Sequence, residues 1–144
     1  MRTRSKLIVI AGIVLALLCI LAMLWSSIAS YFDEAALKQV AQRIGVTPTY
    51  LNVVKYVNNS VQLRMSREEV EALLSQIAPI EIPHRGKLIT DGSVEAYVCD
   101  ELLLKAGPFH GTLRFRACYY GEGRSLFQWM YESSRFGAVW RCDR

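Results

Sequence analysis

Histidine, proline and charge excess are scarce in this chain, and each scarcity excludes something. Of 144 residues, two are histidine and four are proline. His84 and His110 stand apart, each beside Pro or Gly in an expected loop, and no H-E-x-x-H pair occurs. Four cysteines are present, but none falls in a C-x-x-C, so a zinc site or a thioredoxin-like centre has no signature. A nucleophile elbow of the G-x-S-x-G type, a phosphate loop and a dinucleotide fingerprint are all missing. The residues therefore nominate no catalytic group, no cofactor and no metal. Repeats and low-complexity tracts are absent too.

Charge is also missing from one long stretch. Leu7 to Trp25 reads LIVIAGIVLALLCILAMLW, and the uncharged run continues to Phe32. Nineteen helical residues span about 28 Å, close to a hydrocarbon core of about 30 Å. A domain of this size has no way to bury such a helix on every side. The reading is a cytoplasmic tail (1–6), a transmembrane signal anchor (7–29) in contact with lipid, a helical segment (30–64) and an α/β domain (65–144). Arg2, Arg4 and Lys6 precede the run, and Asp33 and Glu34 follow it. Basic flanks are retained in the cytoplasm, which predicts a single-pass cell-membrane protein with its C-terminal domain outside. Trp25, Tyr31 and Phe32 are placed for the outer interface, as Arg2, Arg4 and Lys6 are for the inner one. A rival reading makes the same run a signal peptide cut after Ser27-Ile28-Ala29, releasing a secreted, inhibitor-like domain. Lipid attachment at Cys19 fits poorly, because Leu18 occupies a position that wants a small residue.

Removing the anchor also changes the charge balance. Three of the 17 basic residues precede the run, leaving 14 against 13 acids. An exported domain near +1 gives no support for nucleic-acid binding.

Beyond the anchor, Leu37, Val40, Ala41 and Ile44 keep helical spacing, and Gly45 follows as a C-cap candidate. This helix is able to continue directly from the anchor. A second helix is expected to start at Thr47 with Pro48 in its first turn, and to carry Tyr50, Val53, Val54 and Val57 on its apolar face. Met65-Ser66-Arg67-Glu68-Glu69-Val70 combines a capping box with a hydrophobic staple, predicting a helix over 66–78 that Pro79 stops. Pro83, His84, Arg85 and Gly86 read as loop, with a short strand conceivable at 87–90.

From Val94 the period becomes two, predicting strands at about 94–104, 112–120 and 124–132. If the first hairpin centres between Pro108 and Phe109, paired residue numbers sum to 217. Val98, Leu102 and Leu104 then face Tyr119, Phe115 and Leu113. Cys99 meets Cys118, and Glu101 meets Arg116 as a surface ion pair. The exported compartment permits a Cys99–Cys118 disulfide. Cys142 is left over, free or able to exchange. If the second turn pairs Tyr120 with Arg124, then Phe127, Trp129 and Tyr131 join Phe115 on the apolar face. These four aromatics fill a core or line a partner or ligand surface, the latter in an exported enzyme or small-ligand binder.

The M-S-R-E-E-V helix start leading into an antiparallel meander resembles the SmpA/OmlA (BamE-like) family of small bacterial envelope domains, over roughly residues 46–132. Arg64 stands where that family usually has glycine, the lipoprotein cysteine is absent, and a cysteine pair crosses the sheet. The resemblance implies a two-layer scaffold used for protein–protein interaction. The expected fold is α+β: a transmembrane helix, then two or three helices packed on a three-stranded antiparallel meander. The expected role is an extracytoplasmic interaction or accessory domain of a membrane or envelope assembly, with a protein partner.

Overall fold

A computed structural model describes residues 2–86, 96–121, 124–132 and 139–141, without the side chains of 2–7 and 139–141. The side chains of Arg2, Arg4 and Lys6, the possible strand at 87–90, and Cys142 lie outside that description.

Helix α1 (Arg2–Ile44) runs unbroken through the apolar stretch and on into the domain. No proline or glycine interrupts residues 13–44, and Gly45 ends the helix at φ 72°, a left-handed turn that costs a glycine little. One helix near the N-terminus is thus long and apolar enough to cross a membrane. Helix α2 (Tyr50–Ser60) begins later than Thr47 and Pro48 suggest. Its N-cap is Thr49, whose hydroxyl accepts from the Asn52 N–H at 3.2 Å. Helix α3 (Arg67–Ile77) has both arms of the expected capping box: Ser66 Oγ accepts from Glu69 N–H at 3.2 Å, and Glu69 Oε2 accepts from Ser66 N–H at 2.7 Å.

The sheet is wider than the expected three strands. β1 (Ile80–His84), β2 (Tyr97–Lys105), β3 (Thr112–Tyr120), β4 (Ser125–Glu132) and β5 (Val139–Arg141) pair antiparallel in sequence order. The loop expected at Pro83 and His84 belongs to β1. Proline is tolerated there because β1 is an edge strand whose register shifts between Glu81 and His84. β2 starts at Tyr97, later than the expected 94, with Ala96 outside the strand; residues 94 and 95 are among those not described.

The β2–β3 register follows the sum of 217 throughout, from Tyr97–Tyr120 to Lys105–Thr112. The β3–β4 register does not follow the expected one. Tyr120 pairs with Ser125 and Tyr119 with Leu126, but Cys118 pairs with Gln128. Phe127 is the extra residue of a β-bulge, which restores Trp129 and Tyr131 to the Phe115 face and leaves Phe127 on the other.

The helices cover one face of the sheet. Val53 and Val57 of α2, Val70 and Leu74 of α3, and Leu102, Leu104, Phe115 and Leu126 of the sheet are all at most 1% exposed. Burying each such side chain contributes about 1.5–3 kcal/mol. The C-terminal half of α1 closes the core through Leu37 and Val40, and the Arg43 guanidinium donates to the Ile77 carbonyl at 3.2 Å.

Arg64, just before α3, has φ 76°. Its N–H donates to the Leu126 carbonyl, and Leu126 N–H donates to the Met65 carbonyl, both at 2.7 Å. Those bonds hold a side-chain-bearing residue in a left-handed conformation that glycine adopts at less cost.

Candidate functional site

Helix α1 divides at Ala29. Residues 8–28 are all exposed, whereas Ala29, Asp33, Leu37, Val40 and Ala41 are buried. Their spacing of four, four, three and one places them on a single helical face. The upper half of α1 is therefore docked to the domain and the apolar half stays exposed.

Asp33 sits at that division, 5% exposed. Its carboxylate oxygens accept from the Phe109 N–H at 2.8 Å and the His110 N–H at 2.7 Å. The loop joining β2 and β3 closes on itself through Gly107 N–H to Gly111 O at 3.0 Å. A Cβ on Gly107 would lie 2.5 Å from Asp33 Oδ1, so the carboxylate reaches the loop amides only because glycine stands there. Asp33 enters the sequence reading only as the acid that follows the anchor. No local pattern links it to a loop 76 residues away.

Around this junction lie the aromatic residues expected at the outer interface. Trp25, Tyr31 and Phe32 are each more than half exposed. Trp25 also meets the Phe109 ring at 5.8 Å edge-on, and Phe32 meets it at 6.4 Å. On another side of α1 a cleft of about 410 Å³ is lined by Ser26, Ser30, Glu34, Tyr50 and His110 among others.

The second buried acid, Asp100, faces the helices from β2. Its oxygens contact Arg67 Nε at 2.7 Å and Nη2 at 2.9 Å, and accept from Gly86 N–H at 3.0 Å. The guanidinium lies 5.7 Å from the centroid of the Tyr119 ring. Burial, followed by the Asp100 charge, holds the Tyr119 phenol above the ordinary tyrosine range. This group also escaped the sequence reading, although parity placed Asp100 on the face of Val98, Leu102 and Leu104. An acid at an apolar-face position is the signal that could have found it.

The aromatic face expected to form a partner or ligand surface divides differently. Phe115 and Trp129 stack at 5.0 Å within the core, Tyr131 lies half-buried 5.4 Å from Phe115, and the Trp129 indole N–H donates to Asn58 Oδ1 at 2.9 Å. Phe127 instead packs on the opposite face, 4.4 Å from Tyr120 and 6.0 Å from Tyr97. On that face Cys99 and Cys118 form a disulfide. Cys19, in the apolar run, is a free thiol. Glu101 and Arg116 are backbone partners, but their charges pair elsewhere: Glu101 with Arg114 at 3.0 Å and Arg116 with Glu132 at 3.1 Å. Each long side chain leans to a diagonal neighbour instead of the residue directly opposite. Among the described residues, no group of three or more His, Cys, Asp or Glu side chains is arranged to hold a metal ion.

Neither a known protein family, nor a curated protein, nor a solved structure matches this chain.

Proposed function

We propose that this chain is a single-pass membrane protein whose α+β domain stands outside the cytoplasm and serves as an interaction or accessory module of a membrane or envelope assembly. The observation that carries the reading is the division of α1. Residues 8–28 expose Ile, Leu and Val side chains on every side, while the same helix is built into the domain core from Ala29 onward. A bilayer is the environment that accepts the first part. Ala29 is buried against the domain, so a cut after Ser27-Ile28-Ala29 would fall within packed structure, which favours an anchor over a released domain. The Cys99–Cys118 disulfide fits an oxidising compartment.

The resemblance to the SmpA/OmlA family enters at the same level. The capped α3 and the meander support it, while Arg64 departs from the glycine usual there and holds a left-handed backbone that would suit glycine. A small-ligand role on the helix-facing aromatics is less well supported, since Phe115 and Trp129 are already packed.

Two measurements test the proposal. Protease added to sealed, right-side-out cells should remove a C-terminal tag and spare an N-terminal one; the reverse pattern would sink the orientation. Extraction in mild detergent after chemical crosslinking should recover the chain with a stoichiometric protein partner. Recovery of the uncrosslinked chain alone would count against the accessory role.

A further inference from the structure

We infer that the β2–β3 loop is a second membrane contact, with Phe109 seated in the outer lipid interface beside Trp25. The inference rests on the anchor reading of α1. Trp25 ends the nineteen-residue apolar run, so it lies where hydrocarbon gives way to headgroups. The Phe109 ring touches Trp25 and, about two helical turns higher, Phe32. Its height along α1 is therefore that of the interface, not of the aqueous domain. Pro108, Phe109 and His110 are all exposed, and Phe109 retains 43% of its surface despite these two contacts. A large aromatic in that position is stabilised by a lipid interface more than by water.

The loop is held there by the fold. Asp33 clamps the amides of Phe109 and His110, Gly107 and Gly111 close the turn, and Ala29 is buried at the same level of α1. Asp33 lies about 12 Å above Trp25 along the helix, near enough to the bilayer that covering its carboxylate with two N–H donors matters. The arrangement fixes which side of the domain faces the lipid. The occupant is the headgroup–acyl boundary of the bilayer, chosen because the patch continues the apolar surface of the anchor without a break.

The test uses the full chain in phosphatidylcholine/phosphatidylglycerol nanodiscs. The photo-crosslinking amino acid p-benzoylphenylalanine replaces Phe109, Leu18 in the span, or exposed Tyr56 on α2, and adducts are read by intact mass. Lipid adducts are expected at positions 18 and 109 in yields of the same order, with background at 56. Adducts at 18 but only background at 109 would overturn the inference and leave the anchor standing. No adduct at 18 would overturn the anchor reading and this inference with it. A protein–protein adduct at 109 in place of lipid would also overturn it, assigning Phe109 to a protein partner.

Discussion

Two junctions hold this domain together through buried aspartates, and they use different chemistry. At the helix–sheet junction Asp100 meets a full opposite charge, Arg67, with both side chains nearly out of water. At the junction between the apolar half of α1 and the domain, Asp33 meets, among the described residues, backbone amides presented by a glycine-closed loop. Both satisfy a buried carboxylate, but only the first leaves a second buried charge behind when one partner is lost. The first fixes the core of the domain, and the second fixes how the domain meets the apolar half of α1.

The largest effect should come from Arg67→Met. It leaves Asp100 buried with one N–H donor, a loss of about 3–5 kcal/mol in thermal or denaturant unfolding of the detergent-solubilised chain. Adding Asp100→Leu should recover most of that loss, because no uncompensated charge remains. If the double variant is no better than the single one, the charge-pair account of this junction is wrong.

Next is the cross-strand bond. Cys99→Ala with Cys118→Ala should cost about 2–4 kcal/mol, since the bond closes a loop of 19 residues in the unfolded chain. An unchanged melting temperature would show that β2 and β3 hold their register without it.

Asp33→Ala should cost about 1–3 kcal/mol, the penalty of two donors losing their acceptor. Hydrogen exchange should speed up first at Phe109 and His110, with the Leu102 and Phe115 amides little affected. A uniform loss across the sheet would break the distinction between the two junctions.

Tyr119→Phe probes the Asp100 side from another direction. The hydroxyl is buried without a partner among the described residues, so its removal should be neutral or stabilising by up to about 1 kcal/mol. The pH dependence has a definite sign. Tyr119 keeps its proton longer in the folded chain than in the unfolded one, whose tyrosines ionise near about pH 10. Stability is therefore full below that pH and falls as pH rises above it. The phenylalanine variant should unfold at higher pH than the parent, followed by circular dichroism; an unchanged midpoint would remove Tyr119 from the alkaline transition.

The smallest effect should be Arg64→Gly, a gain of up to about 1 kcal/mol from relieving the left-handed backbone at φ 76°. A loss would mean that the Arg64 side chain makes a contribution larger than the strain.

Particular residues explain what was legible. The β2–β3 register could be read because alternation and the two cysteines agree on one pairing. The β3–β4 register could not, because the bulge at Phe127 follows from how Leu126 bonds Arg64 and Met65, partners more than 60 residues away. Pro83 read as loop because a proline carries no mark of lying on a sheet edge. Thr47 and Thr49 offer equivalent capping side chains, and the choice between them lies in the backbone path.

The sequence by itself determined the apolar span, the capping box of α3, the parity of β2 and β3, and the Cys99–Cys118 pairing. Each depends on a local period or on one hairpin, where spacing along the chain fixes spacing in space. Tertiary structure alone decided that α1 is docked above Ala29, that Asp33 clamps the β2–β3 loop, and that Phe109 reaches Trp25. The loop contacts join segments more than 70 residues apart, the docking of α1 joins it to α2 and α3, and contacts between separate elements leave no periodic trace in the sequence.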